Sequence, residues 1–95
     1  MNFAIQLTKI PIRIIKEQEL VIGPLAWYEA GKVQGLKIDK SHSSVSFSGD
    51  GKETINLLVA QFERLFGRAS REVCRDAVQD IIAEMSPEEI PSSLK

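Results

Sequence analysis

The apolar positions between residues 50 and 69 recur at steps of three and four, the spacing of one face of a helix. At about 100° per residue they fall within an arc of roughly 120°, which predicts a buried face. Asp50 can cap this helix, and Glu53, three residues later, can bond back to the cap. The apolar positions are Ile55, Leu58, Val59, Phe62, Leu65, Phe66 and Ala69.

The pattern changes after residue 69, because a continued helix would place three acidic residues on the same arc. Gly67 suits the end of a helix, and Ser70 suits the cap of the next one. We therefore predict two helices, at about 51–66 and 71–85. One kinked helix is the alternative, since a glycine inside a helix costs only about 1 kcal/mol relative to alanine.

The first part of the chain alternates apolar and polar residues, which is typical of β-strands. The alternation covers residues 3–8 and 10–14, and a further apolar run covers residues 20–22. Pro11 cannot donate a backbone hydrogen bond, so it indicates an edge strand, a bulge or a break between two short strands. We therefore predict strands in this part of the chain.

Residues 24–35 fit two different structures. Gly31 suits a type I hairpin turn with a bulge, and the aromatic residues before it are strong strand formers, so a hairpin is favoured. The alternative is a short helix over residues 25–34, with Pro24 at its start. This helix would bury Ala26, Trp27, Ala30 and Val33.

The run Trp27-Tyr28-Glu29-Ala30-Gly31, together with Gly35, resembles the tyrosine-glycine helix motif of small-molecule-binding 4-vinyl reductase domains. The resemblance covers about nine residues and implies a helix rather than the favoured hairpin. We assign no family on a match of this length.

A second hairpin is predicted at residues 36–39 and 45–48, which alternate cleanly on either side of a polar loop. Together these elements predict an α+β fold. An antiparallel, meander-like sheet of four to five strands would be followed by two C-terminal helices packed on one of its faces. Residues 1–90 would form this single domain, and residues 91–95 would be a flexible C-terminal tail.

Composition narrows the class of protein only slightly. A formal net charge of −1 gives no overall field that would draw the chain to nucleic acid or to anionic lipid. The single cysteine suits a reducing compartment. The apolar runs are too short to span a bilayer, and the N-terminal residues lack the features of a signal peptide. We therefore predict a cytoplasmic protein without membrane contact.

The residues that catalyse reactions or bind metals are scarce. One histidine and one cysteine cannot supply a zinc site built from these ligands, and no catalytic spacing is present. We expect His42 to be exposed in its loop and Cys74 to be a small buried hydrophobe. The sequence therefore predicts no catalytic residue, no metal and no cofactor, and it argues against an enzyme without excluding one.

Two aromatic residues and four arginines are candidates for partner binding. Trp27 and Tyr28 would point to opposite faces of a strand, so at least one would stay outside the core and could anchor an interface. On a continuous helix the arginines would fall within roughly 60° and could read phosphate or carboxylate groups, although acidic residues between them favour a solvated face. They are Arg64, Arg68, Arg71 and Arg75.

These observations predict a non-enzymatic interaction or regulatory module that acts through protein–protein contacts or as a homodimer. The alternative is a small-ligand or enzymatic pocket between the sheet and the helices, near Trp27 and Tyr28. The second alternative is weak nucleic-acid binding through the arginines, which thirteen acidic residues oppose.

Overall fold

A computed structural model describes residues 3–39, 41 and 44–95, with side chains from residue 6 onward. The predicted sheet of four to five strands is wrong, because the described residues form a mostly helical fold with a single two-stranded hairpin. The helices are α1 (Phe3–Ile22), α2 (Leu25–Ala30), α3 (Gly51–Phe66), α4 (Ala69–Ala77) and α5 (Gln79–Ile82), and the strands are β1 (Leu36–Ile38) and β2 (Val45–Phe47). Two 3-10 helices, Pro87–Glu89 and Ser92–Leu94, follow.

Helix α1 replaces the strands predicted over residues 3–8, 10–14 and 20–22. Its isoleucines fit a strand period and a helix period equally well, and the buried positions follow the helix. Pro11 lies inside this helix and is fully buried, so packing offsets the hydrogen bond that its nitrogen cannot donate. The buried positions are Gln6, Leu7, Ile10, Pro11, Ile14, Ile15 and Gln18.

Helix α2 replaces the favoured hairpin, and the alternative interpretation is right, although the helix is shorter than expected. It begins after Pro24 and ends at Ala30. The backbone N–H of Ala26 donates to the carbonyl of Gly23 at 3.0 Å, which closes the turn between α1 and α2. All four side chains that this interpretation would bury are buried: Ala26, Trp27, Ala30 and Val33.

The second hairpin is confirmed. β1 and β2 pair antiparallel, with Leu36 opposite Phe47 and Ile38 opposite Val45. Gly35 enters the hairpin with φ of +90°, and a Cβ there would lie 2.8 Å from Oγ1 of Thr54, so only glycine fits. His42, which the sequence predicts to be exposed, lies outside the described residues.

The helix predicted at about 51–66 and the break after it are confirmed, whereas the single helix predicted at 71–85 is wrong, because two short helices take its place. The Asp50 carboxylate accepts from the backbone N–H groups of Lys52 at 2.9 Å and Glu53 at 3.5 Å, which is the predicted cap. Gly67, with φ of +94°, ends α3. The following helix begins at Ala69 rather than at residue 71, and a break at Val78 divides it into α4 and α5.

Helix α1 runs antiparallel to α4 and α5. Near its end, the side-chain amide of Gln18 donates to the carbonyl of Ser70 at 3.1 Å. One and a half turns earlier, Arg13 contacts Asp80 at 2.9 Å. Because the order of contacts is reversed along the two segments, the end of α1 lies beside the turn that joins α3 to α4.

Residues 91–95, predicted as a flexible tail, lie against α3. Leu94 is only 4% exposed. The backbone N–H and the hydroxyl of Ser93 both donate to the side-chain oxygen of Asn56, at 3.0 and 2.7 Å. A single apolar side chain at the end of the chain and one asparagine in α3 form these contacts, and neither stands out in the sequence.

Candidate interaction surface

The large apolar side chains that remain exposed lie on three helices that contact one another. Among the described side chains, all six lie at the end of α1, on α2 or on α3, and none lies on α4, α5 or the hairpin. We call these positions the α1–α2–α3 surface. They are Leu20 (80% exposed), Val21 (68%), Tyr28 (64%), Leu25 (43%), Leu57 (42%) and Leu65 (39%).

The apolar arc of α1 continues beyond the core. Val21 follows Ile14 by two helical turns, so the two side chains project from nearly the same side of the helix. Ile14 is fully buried, whereas Val21 is mostly exposed. The chain then turns at Gly23, with φ of +76°, into α2. The end of α1 therefore presents an apolar side chain that no described element covers.

Polar contacts join α2 to α3 within this surface. Glu29 of α2 accepts from the side-chain amide of Gln61 at 3.1 Å and lies 3.4 Å from Nζ of Lys32. Gln61 in turn accepts from Arg64 at 2.7 Å. Nζ of Lys32 also lies 4.5 Å from the centre of the Tyr28 ring. These contacts hold the two helices and the tyrosine in a fixed arrangement.

The two aromatic candidates have different positions. On the helix α2, Trp27 is 8% exposed and belongs to the core, whereas Tyr28 is largely exposed. Consecutive residues on a helix are about 100° apart, which is enough to separate a buried position from an exposed one. Tyr28 is thus the one of the pair that a partner could reach.

The four candidate arginines do not form one stripe, because α3 ends at Gly67 and the chain changes direction there. Arg68 is exposed and immediately precedes α4. The other three contact side chains of their own chain: Arg64 with Gln61 (2.7 Å), Arg71 with Glu63 (3.6 Å) and Arg75 with Glu72 (3.4 Å).

Cys74 is a small buried hydrophobe, as expected. Its sulfur accepts from the side-chain amide of Gln18 at 3.5 Å. Burial raises the pKa of the thiol from 9.0 to about 11, and this outweighs the opposite effect of the hydrogen bond. The thiol is therefore protonated at neutral pH and is a poor nucleophile.

Among the described residues, neither the metal-binding side chains nor the cavity at the hairpin indicates a further site. The described residues contain no group of three or more His, Cys, Asp or Glu side chains that could hold a metal ion. A cavity of about 190 Å³ lies along the hairpin rather than beside Trp27 and Tyr28. The carboxylate of Asp39 in its lining already accepts from the hydroxyls of Ser41 and Ser44, each at 2.6 Å.

Sequence reasoning misses most of this surface. The pattern places Leu20 and Val21 in a strand, and it gives no signal for Leu25. Leu65 belongs to the predicted buried arc of α3 but is partly exposed. Leu57 falls outside that arc, and its position there is the one signal in the sequence for an exposed leucine.

Within the described residues, no helix is both long enough and apolar enough to cross a bilayer. Comparison of this chain with known protein families, with curated proteins and with solved structures finds no match.

Proposed function

We propose that this protein is a small interaction module that binds a protein partner through the α1–α2–α3 surface. The observation that supports this proposal is the placement of all six exposed large apolar side chains of the described region on three adjacent elements. Apolar side chains scattered over a surface need no explanation, whereas their concentration in one region is typical of binding sites.

Tyr28 and Leu20 are the anchors that we propose for this interface. Both are more than half exposed, so both have apolar area to bury. A tyrosine ring gives a large contact area at a low entropic cost, and its hydroxyl can bond to the partner. The Glu29–Gln61 hydrogen bond holds α2 against α3 before a partner arrives. Such an ordered surface reduces the entropy lost on binding.

The proposal places the module in the cytoplasm. Cys74 is a free thiol, and a free thiol fits a reducing compartment. No step of the proposed function needs a cofactor or a metal.

A photocrosslinking experiment tests the proposal. Tyr28 is replaced by p-benzoylphenylalanine in the full chain, which is then irradiated in an extract of the organism that produces the protein. We expect one defined adduct, whose mass identifies the partner. The matched control carries the same group in place of Ala83, an exposed position near the end of α5 and away from this surface.

A second variant ties the adduct to the surface. Adding Leu20→Ser and Leu65→Ser to the chain with the photoreactive group should remove the adduct, because these leucines would lose their apolar contacts with the partner. Both leucines are exposed, so the fold should be retained, and circular dichroism checks this. Equal labelling from positions 28 and 83, or none from either, would contradict the proposed function.

A further inference from the structure

Unpaired charges on the α1–α2–α3 surface are separated by sign. At the end of α1, Glu17 and Glu19 precede Leu20 and Val21, and neither glutamate forms an ion pair within the described residues. We call these four residues the acidic corner. Glu17 lies on the side of α1 that carries Leu20 and Val21, three and four residues later, whereas Glu19 projects from the other side of the same turn.

The end of α3 has the opposite sign. Arg64 and Arg68 flank Leu65, and neither arginine forms an ion pair with a described carboxylate. The hydrogen bond from Arg64 goes to the neutral amide of Gln61, so its charge is not compensated. We call Arg64, Leu65 and Arg68 the basic corner.

Neighbouring charges leave these signs in place. Lys16 lies on the turn before Leu20 and offsets one of the two glutamates of the acidic corner. Glu63 precedes the basic corner, but it is paired with Arg71 at 3.6 Å. The acidic corner therefore keeps a net negative charge, and the basic corner keeps a net positive one.

Both corners lie at the same end of the molecule. The contact between Gln18 and the carbonyl of Ser70 places the end of α1 beside the turn between α3 and α4. Within one chain, the four charged side chains of the two corners form no ion pair with each other. The surface thus combines exposed apolar side chains with unpaired charges of both signs.

We propose that the partner bound here is a second copy of this chain, related by a twofold axis that brings the acidic corner of each copy onto the basic corner of the other. This inference rests on the proposed function and names its partner. In a twofold interface every contact occurs twice, so one surface must carry both halves of each complementary pair. The two corners meet this requirement, whereas a surface of a single sign would repel its copy.

The area needed sets the extent of the interface. A standard interface takes roughly 800 Å² from each partner. That is about a seventh of the 5441 Å² surface of this chain, so the interface must extend beyond the two corners, and the exposed side chains of α2 supply further apolar area. Ion pairs at such an exposed boundary are screened by salt, and we therefore expect the dimer to weaken as salt is added.

Charge exchange tests the pairing directly. The variant Glu17→Lys with Glu19→Lys makes both corners positive, and the variant Arg64→Glu with Arg68→Glu makes both negative. We expect each variant alone to dissociate at least about tenfold more readily than the wild type, because like charges then meet at both contacts. An equimolar mixture should form a heterodimer, and a chain carrying all four substitutions should regain the homodimer.

Sedimentation velocity on the purified full chain measures these states, and circular dichroism confirms that each variant folds. Lys37→Glu with Lys95→Glu is the matched control, since it changes the net charge as much as the arginine variant does. Both lysines are exposed, and they lie on the hairpin and at residue 95, away from the two corners. This control should dimerise like the wild type. Loss of the dimer in the control as well would show a general charge effect and overturn the inference.

Two further outcomes would overturn this inference without contradicting the proposed function. A wild type that stays monomeric up to millimolar concentration excludes the second copy, while an adduct from position 28 to a different protein would still support the interaction module. A wild-type dimer that neither charge variant weakens, or a mixture that fails to form the heterodimer, would exclude the pairing of the two corners.

Discussion

The two ends of the apolar arc on α1 differ sharply in their surroundings. Ile10, Ile14 and Ile15 are fully buried, whereas Val21 is 68% exposed. The arc is continuous, so helical periodicity alone does not separate these positions. What differs is the opposing layer, because α4 begins near Gln18 and does not extend over Val21. The comparison shows that the packing partner decides which part of an amphipathic helix is core.

Polar side chains also differ between the part of α1 that α4 covers and the exposed end of α1. In the seam between α1 and α4, the amide of Gln18 is 1% exposed and donates to the carbonyl of Ser70 and the sulfur of Cys74. Among the described residues, no buried side-chain nitrogen or oxygen lacks a hydrogen-bond partner. At the end of α1, by contrast, Glu17 and Glu19 form no ion pair with any described residue. The polar side chains of the seam thus bond within one chain, whereas these two glutamates are available to solvent or to a partner.

The largest expected effect comes from a matched pair of substitutions on this arc. Ile14→Ala should lower the free energy of unfolding by about 2–5 kcal/mol, because it leaves a cavity in a closed core. Val21→Ala should change it by less than about 0.5 kcal/mol, since the side chain is mostly exposed. Urea denaturation measures both. Similar losses for the two variants would mean that the end of α1 is packed after all.

The sequence predicts those elements whose local signals agree. The helix over residues 51–66, its cap at Asp50 and its end at Gly67 all follow from residues close together in the chain. The hairpin of β1 and β2 also follows, because its alternation and its polar loop are local. Local propensity and tertiary packing favour the same structure in these segments, so no contact with the rest of the chain has to be known.

Helix α1 could not be predicted in this way. Its isoleucines at positions 10, 12 and 14 match a strand, whereas residues 7, 10, 14 and 15 match a helix that also buries Gln18. A buried glutamine is acceptable only with a hydrogen-bond partner, and that partner, Ser70, is fifty-two residues away. The exposed side chains of the α1–α2–α3 surface are missed for the same reason, because their exposure depends on which residues of the chain pack against them.

The end of the chain gives the next largest effect. Leu94→Ala should lower the free energy of unfolding by about 2 kcal/mol, at the low end of the range for buried leucines because the chain terminus can relax. Lys95→Ala, at an exposed neighbour, should leave it within about 0.5 kcal/mol. Denaturant unfolding compares the two. Equal stability for both variants would favour the flexible tail that the sequence predicts over the packed segment.

A smaller effect is expected inside the seam. Gln18→Met keeps the volume of the side chain but removes the hydrogen bonds of its amide to the carbonyl of Ser70 and the sulfur of Cys74, which should cost about 1 kcal/mol. Gln34→Met, at an exposed position, should be neutral to within about 0.5 kcal/mol. Chemical denaturation ranks the two variants against the wild type. If Gln18→Met were as stable as the wild type, the amide would add nothing to the seam beyond its volume.

Cys74 adds a pH dependence to the seam. Its pKa is raised from 9.0 to about 11 by burial, so the folded state favours the protonated thiol more than the unfolded state does. The resulting stability is complete below pH 9 and is lost as the pH rises towards 11. Denaturant unfolding of the wild type and Cys74→Ala across this range measures the difference. A difference in stability that does not change with pH would contradict the burial of this thiol.

The smallest effect on stability is expected for Arg68→Ala with Arg71→Ala. The ion pair of Arg71 with Glu63 joins side chains that are 44% and 32% exposed, so the free energy of unfolding should change by less than about 1 kcal/mol. Loss of Arg68 should nevertheless weaken self-association, because it removes a charge from the basic corner.

Four arginines acting together on a nucleic acid would make log K fall with log salt at a slope of about −3 to −4. Since these arginines lie on either side of the turn at Gly67, we expect no retardation of DNA or RNA at physiological salt. Retardation by the wild type that the double variant abolishes would show that the arginines bind phosphate rather than a second copy of the chain.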